Sequence, residues 1–249
     1  MHFSKYFVFL LCILTLNACA SRPNGKLASE YAGQKFDIGL ATYSERDLQV
    51  HVERRNAYAG GGGLIGALAV GVIAGVEKAH ANMTASDRVK VIKDGFDFDY
   101  AEGLEKKYTQ TIEDSEWLSV VHLVHANRED GRNPDTIYKK VASEVEGVNM
   151  IGVVQYGYVF NEAFNALTSS ATLQLRPYKN NHLGQQVYHL HVYDTYYLKN
   201  AALTEADGNL DLWLENDAQE IRAALSKTSE KVRERLREHL KDPYMKPKG

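Results

Sequence analysis

Nine histidines stand in this chain of 249 residues, and two pairs are spaced so as to raise the question of a metal: His189 with His191, and His122 with His125. Side chains alternate along a strand, so residues two apart share a face and residues three apart do not. His189 and His191 could therefore supply two ligands, while His122 and His125 cannot meet at one ion. The alternation Val187-Tyr188-His189-Leu190-His191-Val192 sets both histidines opposite Tyr188, Leu190 and Val192, which is the pattern of a strand with an apolar inner side and a solvent-facing outer one. Asp94, Asp97, Asp99 and Glu102 suggest calcium, but they interleave with Phe96, Phe98 and Tyr100 and lack the glycine and terminal glutamate of an EF-hand loop. Asp99 with Glu102 three residues on is better read as a capping box opening a helix that ends near Asp114. There is no G-x-S-x-G, no cysteine free to act and no paired carboxylates in a recognisable frame. No catalytic residue, no metal ligand and no cofactor is predicted.

One cysteine does point to chemistry. Lys5 is the sole Lys or Arg before residue 22, and the apolar run from Phe7 to Leu16 follows it. Such a run suits a signal peptide and is well under the ~20 residues a spanning helix needs. The next residues, Leu16-Asn17-Ala18-Cys19, resemble the lipobox of bacterial lipoproteins, with a leucine three before the cysteine and a small residue just before it. That resemblance implies cleavage before Cys19, a diacylglyceryl thioether on its sulfur and an acylated new amino terminus. Several acyl chains together give stable anchoring, since one chain alone binds only marginally. In lipoproteins an Asp after the lipidated cysteine favours retention in the inner membrane; Ala20 and Ser21 stand here, which favours the outer membrane. Cys12 follows Leu11 inside the apolar run and is no rival.

The resemblance divides the chain into a signal peptide (1–18), a lipidated amino terminus with a flexible tether (19–35) and a single domain (36–249). Loss of Cys12 with the leader and of Cys19 to lipid leaves no thiol and no disulfide, so stability must come from a packed core. The processed chain carries 28 basic and 32 acidic side chains, net −4, which offers no global field for nucleic acid.

Residues 57–76 contain no charge, and Gly63, Ala67, Gly71, Gly75 and Ala79 recur at every fourth position. On a helix those five line one face, where another helix or a second copy can approach closely. The segment resembles the glycine zippers of bacterial envelope proteins. It serves either as a tightly packed core helix or as a surface for membrane contact and self-association, and Leu64–Val76 is too short to span ~30 Å unaided.

The elements that must position these residues follow from periodicity. Residues 36–43 and 48–53 alternate as two strands, expected to form a hairpin across Ser44-Glu45-Arg46. A helix over 99–114 precedes a β-branched strand at 117–124. Asn133-Pro134 opens a second helix, closed by Gly147. Strands at 149–160, 168–177 and 186–198 run on without crossover helices, and residues 211–241 place Leu214, Ala218, Ile221, Leu225, Thr228, Val232, Leu236 and Leu240 on one helical face. The fold class is α+β, an antiparallel or mixed sheet with helices on one face. The functional expectation is a lipid-anchored, non-enzymatic envelope protein with a periplasm-facing domain, serving assembly or interaction, its partner being the membrane and either an envelope protein or a second copy. A small-ligand or lipid carrier and a hydrolase are the rivals, and a pocket above ~300 Å³ lined by converging polar groups would favour them.

Overall fold

The computed structural model describes residues 25–44, 49–51, 100–126, 134–161, 163–201 and 206–243. In chain order these form β1 (Phe36–Ser44), β2 (Gln49–His51), α1 (Tyr100–Glu113), β3 (Leu118–His125), α2 (Pro134–Glu144), β4 (Met150–Asn161), β5 (Ala166–Lys179), β6 (His182–Leu183), β7 (Tyr188–Tyr197) and α3 (Ala206–Lys241). The sheet runs β3-β1-β4-β5-β7, with β2 beside the far end of β4 and β6 folded against the end of β5. Pairing of β1 with β3 and with β4 is parallel; β4, β5 and β7 form an antiparallel meander. The class is the expected α+β with a mixed sheet.

Two expectations are corrected. The helices do not share one face. Leu104, Tyr108 and Ile112 of α1 and Val232, Leu236 and Leu240 of α3 pack on Ile38, Leu40, Val154, Leu173, Leu175 and Leu190. By contrast, Ile137, Tyr138 and Val141 of α2 pack on Ala41, Tyr43, Val124 and Val153, whose side chains leave the opposite side of the sheet. Connection handedness accounts for this: β1 to β3 moves one way across the sheet and β3 to β4 moves back, so right-handed crossovers place α1 and α2 on opposite faces. Gly39 lets α2 close on β1, because a Cβ there would stand 3.0 Å from Val145 Cγ1 and 3.2 Å from Val141 Cγ1.

Nor do β1 and β2 form a hairpin. Ser44 pairs with Tyr156 and Gln49 with Val159, both parallel to β4, so the chain continues upward along the same partner instead of turning back.

The closing helix is the expected one with an interruption. Ala218, Ile221, Leu225, Thr228, Val232, Leu236 and Leu240 are all buried, and Leu214 packs partly buried against the upper core around Phe160 and Trp213. Between Leu214 and Gln219 the backbone leaves helical geometry, with φ of +51, +58 and +55° at Asn216, Asp217 and Ala218.

Candidate functional site

Cys19 and the stripe Gly63, Ala67, Gly71, Gly75 and Ala79 lie outside the described residues, as do Asp94, Asp97 and Asp99. The residues flanking them show where both segments attach, and they attach at opposite ends of the sheet.

At the lower end, where β1, β3, β4 and β7 begin, the chain approaching from Cys19 is already packed. Gly25 N–H donates to the His189 carbonyl (2.6 Å), Leu27 N–H to the Pro243 carbonyl (2.9 Å) and Ala28 N–H to the Val187 carbonyl (3.1 Å). Leu27 is 1% exposed and belongs to the main core. A run of rings, Tyr31–Phe36 (5.9 Å), Phe36–Trp117 (6.3 Å) and Trp117–Tyr188 (5.5 Å), continues inward, and Trp117 Nε1 donates to the Leu240 carbonyl at 2.8 Å. Gly25 adopts φ +70° with its Cα side against His239 Nδ1 and Leu190, so a side chain there would be both strained and crowded. From Gly25 onward, then, residues 25–35 are part of the folded body and not of a flexible tether. The closing segment of α3 and Pro243 share this corner.

The segment that holds the glycine stripe leaves upward after His51 and re-enters at Tyr100, the upper end of α1. Beside that re-entry lies the closest approach to a chemical constellation. Glu105 on α1 accepts a hydrogen bond from Thr42 Oγ1 of β1 (2.9 Å) and meets His125 Nδ1 at the end of β3 (2.7 Å). Thr42 is buried, whereas the His125 side chain is 71% exposed. A carboxylate holding an imidazole through Nδ1 is how a general base is oriented. Thr42 spends its proton on the carboxylate, and no cysteine or serine elbow faces the ring among the described residues. No pattern announces this trio in the sequence, because Thr42 and Glu105 are 63 residues apart.

His122 and His125 point to opposite faces as expected: His122 pairs with Gly39 on the α2 side and its Nε2 lies 3.1 Å from the Glu146 carbonyl, while His125 pairs with Thr42 on the α1 side. His189 and His191 share the face opposite Tyr188, Leu190 and Val192, half-buried beside Gln174 and Thr172. Thr172 Oγ1 is 2.9 Å from His191 Nδ1, and the His191 ring stacks on Tyr193 at 5.9 Å. Burial pushes both imidazoles below their ordinary value, and the neighbouring His191 lowers His189 further. Among the described residues no three His, Cys, Asp or Glu side chains gather as metal ligands.

On the long helix Glu230 and Arg233 form an i,i+3 ion pair. Unforeseen is Asp194, buried on β7 and held by Arg235 Nη2 (2.9 Å) and Lys231 Nζ (3.8 Å). With the buried Ser169–Thr228 hydroxyl pair (2.6 Å) it locks α3 to the sheet. A surface depression of about 470 Å³ lies between residues 145–149 and 178–181. It exceeds the volume threshold set above, and the polar groups of Tyr178 stand at its edge. They serve the turns themselves, as where Tyr178 N–H donates to the Asn149 carbonyl (2.9 Å) and Tyr178 Oη to the Ala142 carbonyl (3.0 Å).

The fold is thus that of an α+β protein with a mixed sheet covered by helices on both faces. No protein-family model matches the chain, and no curated protein matches it. Among solved structures it is similar to the hypothetical protein CT253 from Chlamydia trachomatis, at 9% identity over 82% of this chain and 98% of that one, with a TM-score of 0.34. A likeness at that score carries no argument about fold or function. No helix among the described residues is long and apolar enough to cross a membrane.

Proposed function

We propose that this chain is a lipid-anchored protein of the bacterial cell envelope, held by Cys19 at the periplasmic face of the outer membrane, whose folded body acts by contact with other envelope components rather than by catalysis. The run Leu16-Asn17-Ala18-Cys19 and the residues Ala20 and Ser21 support the anchor and its destination. The observation that carries the reading is the burial of Leu27: eight residues after the lipid-bearing position the chain is in the core, so a lipid there is fastened to the body itself. Partner and membrane contact through the stripe Gly63–Ala79 remain part of the proposal, as does self-association.

Cys19→Ser tests it, since only a thiol forms the thioether. Metabolic labelling with an alkyne fatty acid should mark the parent and leave the variant unmarked as uncleaved precursor; equal labelling of both overturns the reading. A hydrolase is the second reading, and the Glu105–His125 pair favours it. Turnover of chromogenic esters that is lost in His125→Ala and kept in His122→Ala would decide for it.

A further inference from the structure

By its residue pattern α3 is one helix, and by its backbone it is two. Leu210, Leu214, Ala218, Ile221 and Leu225 follow one another at spacings of three and four with no change of phase, and neither glycine nor proline occupies residues 215–218. Such a stripe specifies a continuous rod. Instead Glu215 is extended (φ −56°, ψ 149°), and Asn216, Asp217 and Ala218 form a left-handed turn, with ψ of 48, 44 and 32° beside their positive φ. Residues other than glycine enter that region singly and at a cost, so three in a row mark a strained hinge.

What holds the hinge bent is the segment it carries. Trp213 is fully buried with its ring edge-on to Phe160 (centroids 5.1 Å), and its Nε1 donates to the Phe164 carbonyl at 2.5 Å. Asn209 Nδ2 donates to the Ala163 carbonyl at 2.7 Å, and Leu210 is buried in the same cluster. Phe160, Ala163 and Phe164 belong to β4 and to the turn that follows it, so this seat stays behind when the segment leaves.

We infer that residues 206–214 are an exchangeable arm and that the partner their seat fits is a second copy of this chain: α3 straightens, each arm crosses to the seat of the other molecule, and a two-fold dimer closes. In that dimer the contacts of Asn209, Leu210 and Trp213 are made again with identical groups, while both left-handed turns become ordinary helix. The hinge alone then distinguishes the two states, and short hinges under strain favour exchange for this reason. Ile221 already belongs to the uppermost cluster with Phe160, so a straight α3 projects its arm past the upper end of the sheet. Residues 206–214 add about 13 Å of helix there. This surface is separate from Cys19 and from the stripe Gly63–Ala79, so the inference goes beyond the envelope reading and does not rest on it.

The processed chain with Cys19→Ser, which holds no thiol, is compared with two hinge variants by size-exclusion chromatography with light scattering over a wide range of concentration. Asn216 and Asp217 are both exposed, so changes there disturb no core packing. Asn216→Gly/Asp217→Gly accepts the left-handed turn without strain and should weaken dimerisation by about a hundredfold; Asn216→Ala/Asp217→Ala favours the helix and should tighten it by about as much. Hydrogen exchange of the isolated dimer then identifies what was exchanged. Amides 216–222, which a straight helix pairs with carbonyls four residues back, should gain protection, and arm amides 209–214 should keep theirs. An alanine variant that is monomeric at every concentration overturns the inference, as does a glycine variant that dimerises equally well. A dimer whose hinge amides are unchanged, or whose arm loses protection, overturns it too.

Discussion

Tyr188 carries its hydroxyl into the core, where the ring is fully buried against Trp117 and the oxygen finds no hydrogen-bond partner among the described residues. Burial also pushes its ionisation well above that of a free phenol. An unsatisfied buried hydroxyl costs on the order of 1 kcal/mol or more, so Tyr188→Phe should raise stability by about 1 kcal/mol, read as a shift in the urea midpoint at constant slope. No loss of packing opposes the gain, since the ring is kept. His189 and His191 give a second expectation. Their folded values lie below 6.5 while the unfolded chain titrates near 6.5, so below that pH the unfolded state binds more protons. The stability they contribute is complete above about pH 6.5 and is lost as pH falls toward their folded values. Replacing both with Gln should flatten the decline in melting temperature between about pH 7 and 5, and parallel curves for parent and variant would exclude these two residues as its source. That the pair lies opposite Tyr188, Leu190 and Val192 was legible from strict alternation, and its half-burial was not. The Glu105–His125 contact was not, because it depends on how α1 seats over β1 and leaves no local spacing.

Elements were legible wherever one face is apolar at a single period. The meander of β4, β5 and β7 appears within about two residues of its expected bounds, and the closing helix ends at Lys241 as expected but begins at Ala206, five residues before residue 211. What escaped was geometry that periodicity does not encode. β1 and β2 alternate as a hairpin would, yet both extend along β4, and the difference lies in pairing partners far along the chain. The break in α3 did have a signal, in that Asn216-Asp217 sits inside an otherwise helical stripe and Asn and Asp tolerate left-handed backbone better than most residues. At φ +58° Asp217 is exposed and makes a long surface ion pair with Arg222 (3.6 Å), a contact worth little. Asp217→Gly should therefore stabilise by roughly 0.5–1 kcal/mol, and Asp217→Val should destabilise by more than that. Thermal unfolding of the two variants checks the sign; a loss with glycine would mean that the ion pair outweighs the backbone.

At the scale of the molecule, residues 25–35, expected in the tether, pack on the folded body. Composition hid this, because Pro23, Asn24, Gly25 and Ser29 look like a linker and two apolar side chains, Leu27 and Tyr31, are too few to show a period. Their burial is decided by the groove between β7 and the end of α3, which no local pattern reveals. Leu27→Ala should accordingly cost about 2–4 kcal/mol, an amount seen for buried leucines and not for a tether residue. A melting temperature unchanged by Leu27→Ala would return residues 25–35 to the leash. The 2.9 Å hydrogen bond between Leu27 and Pro243 has a practical consequence as well. With its ends this close, the domain is a near-closed loop of chain that a short linker could seal, and it could be reopened between His125 and Pro134 as a circular permutant. In such a molecule the cysteine proposed to carry lipid would be placed at the opposite end. Under the proposed anchoring, comparing it with the parent would separate what the protein does by being held at a membrane from what it does by being held near this corner.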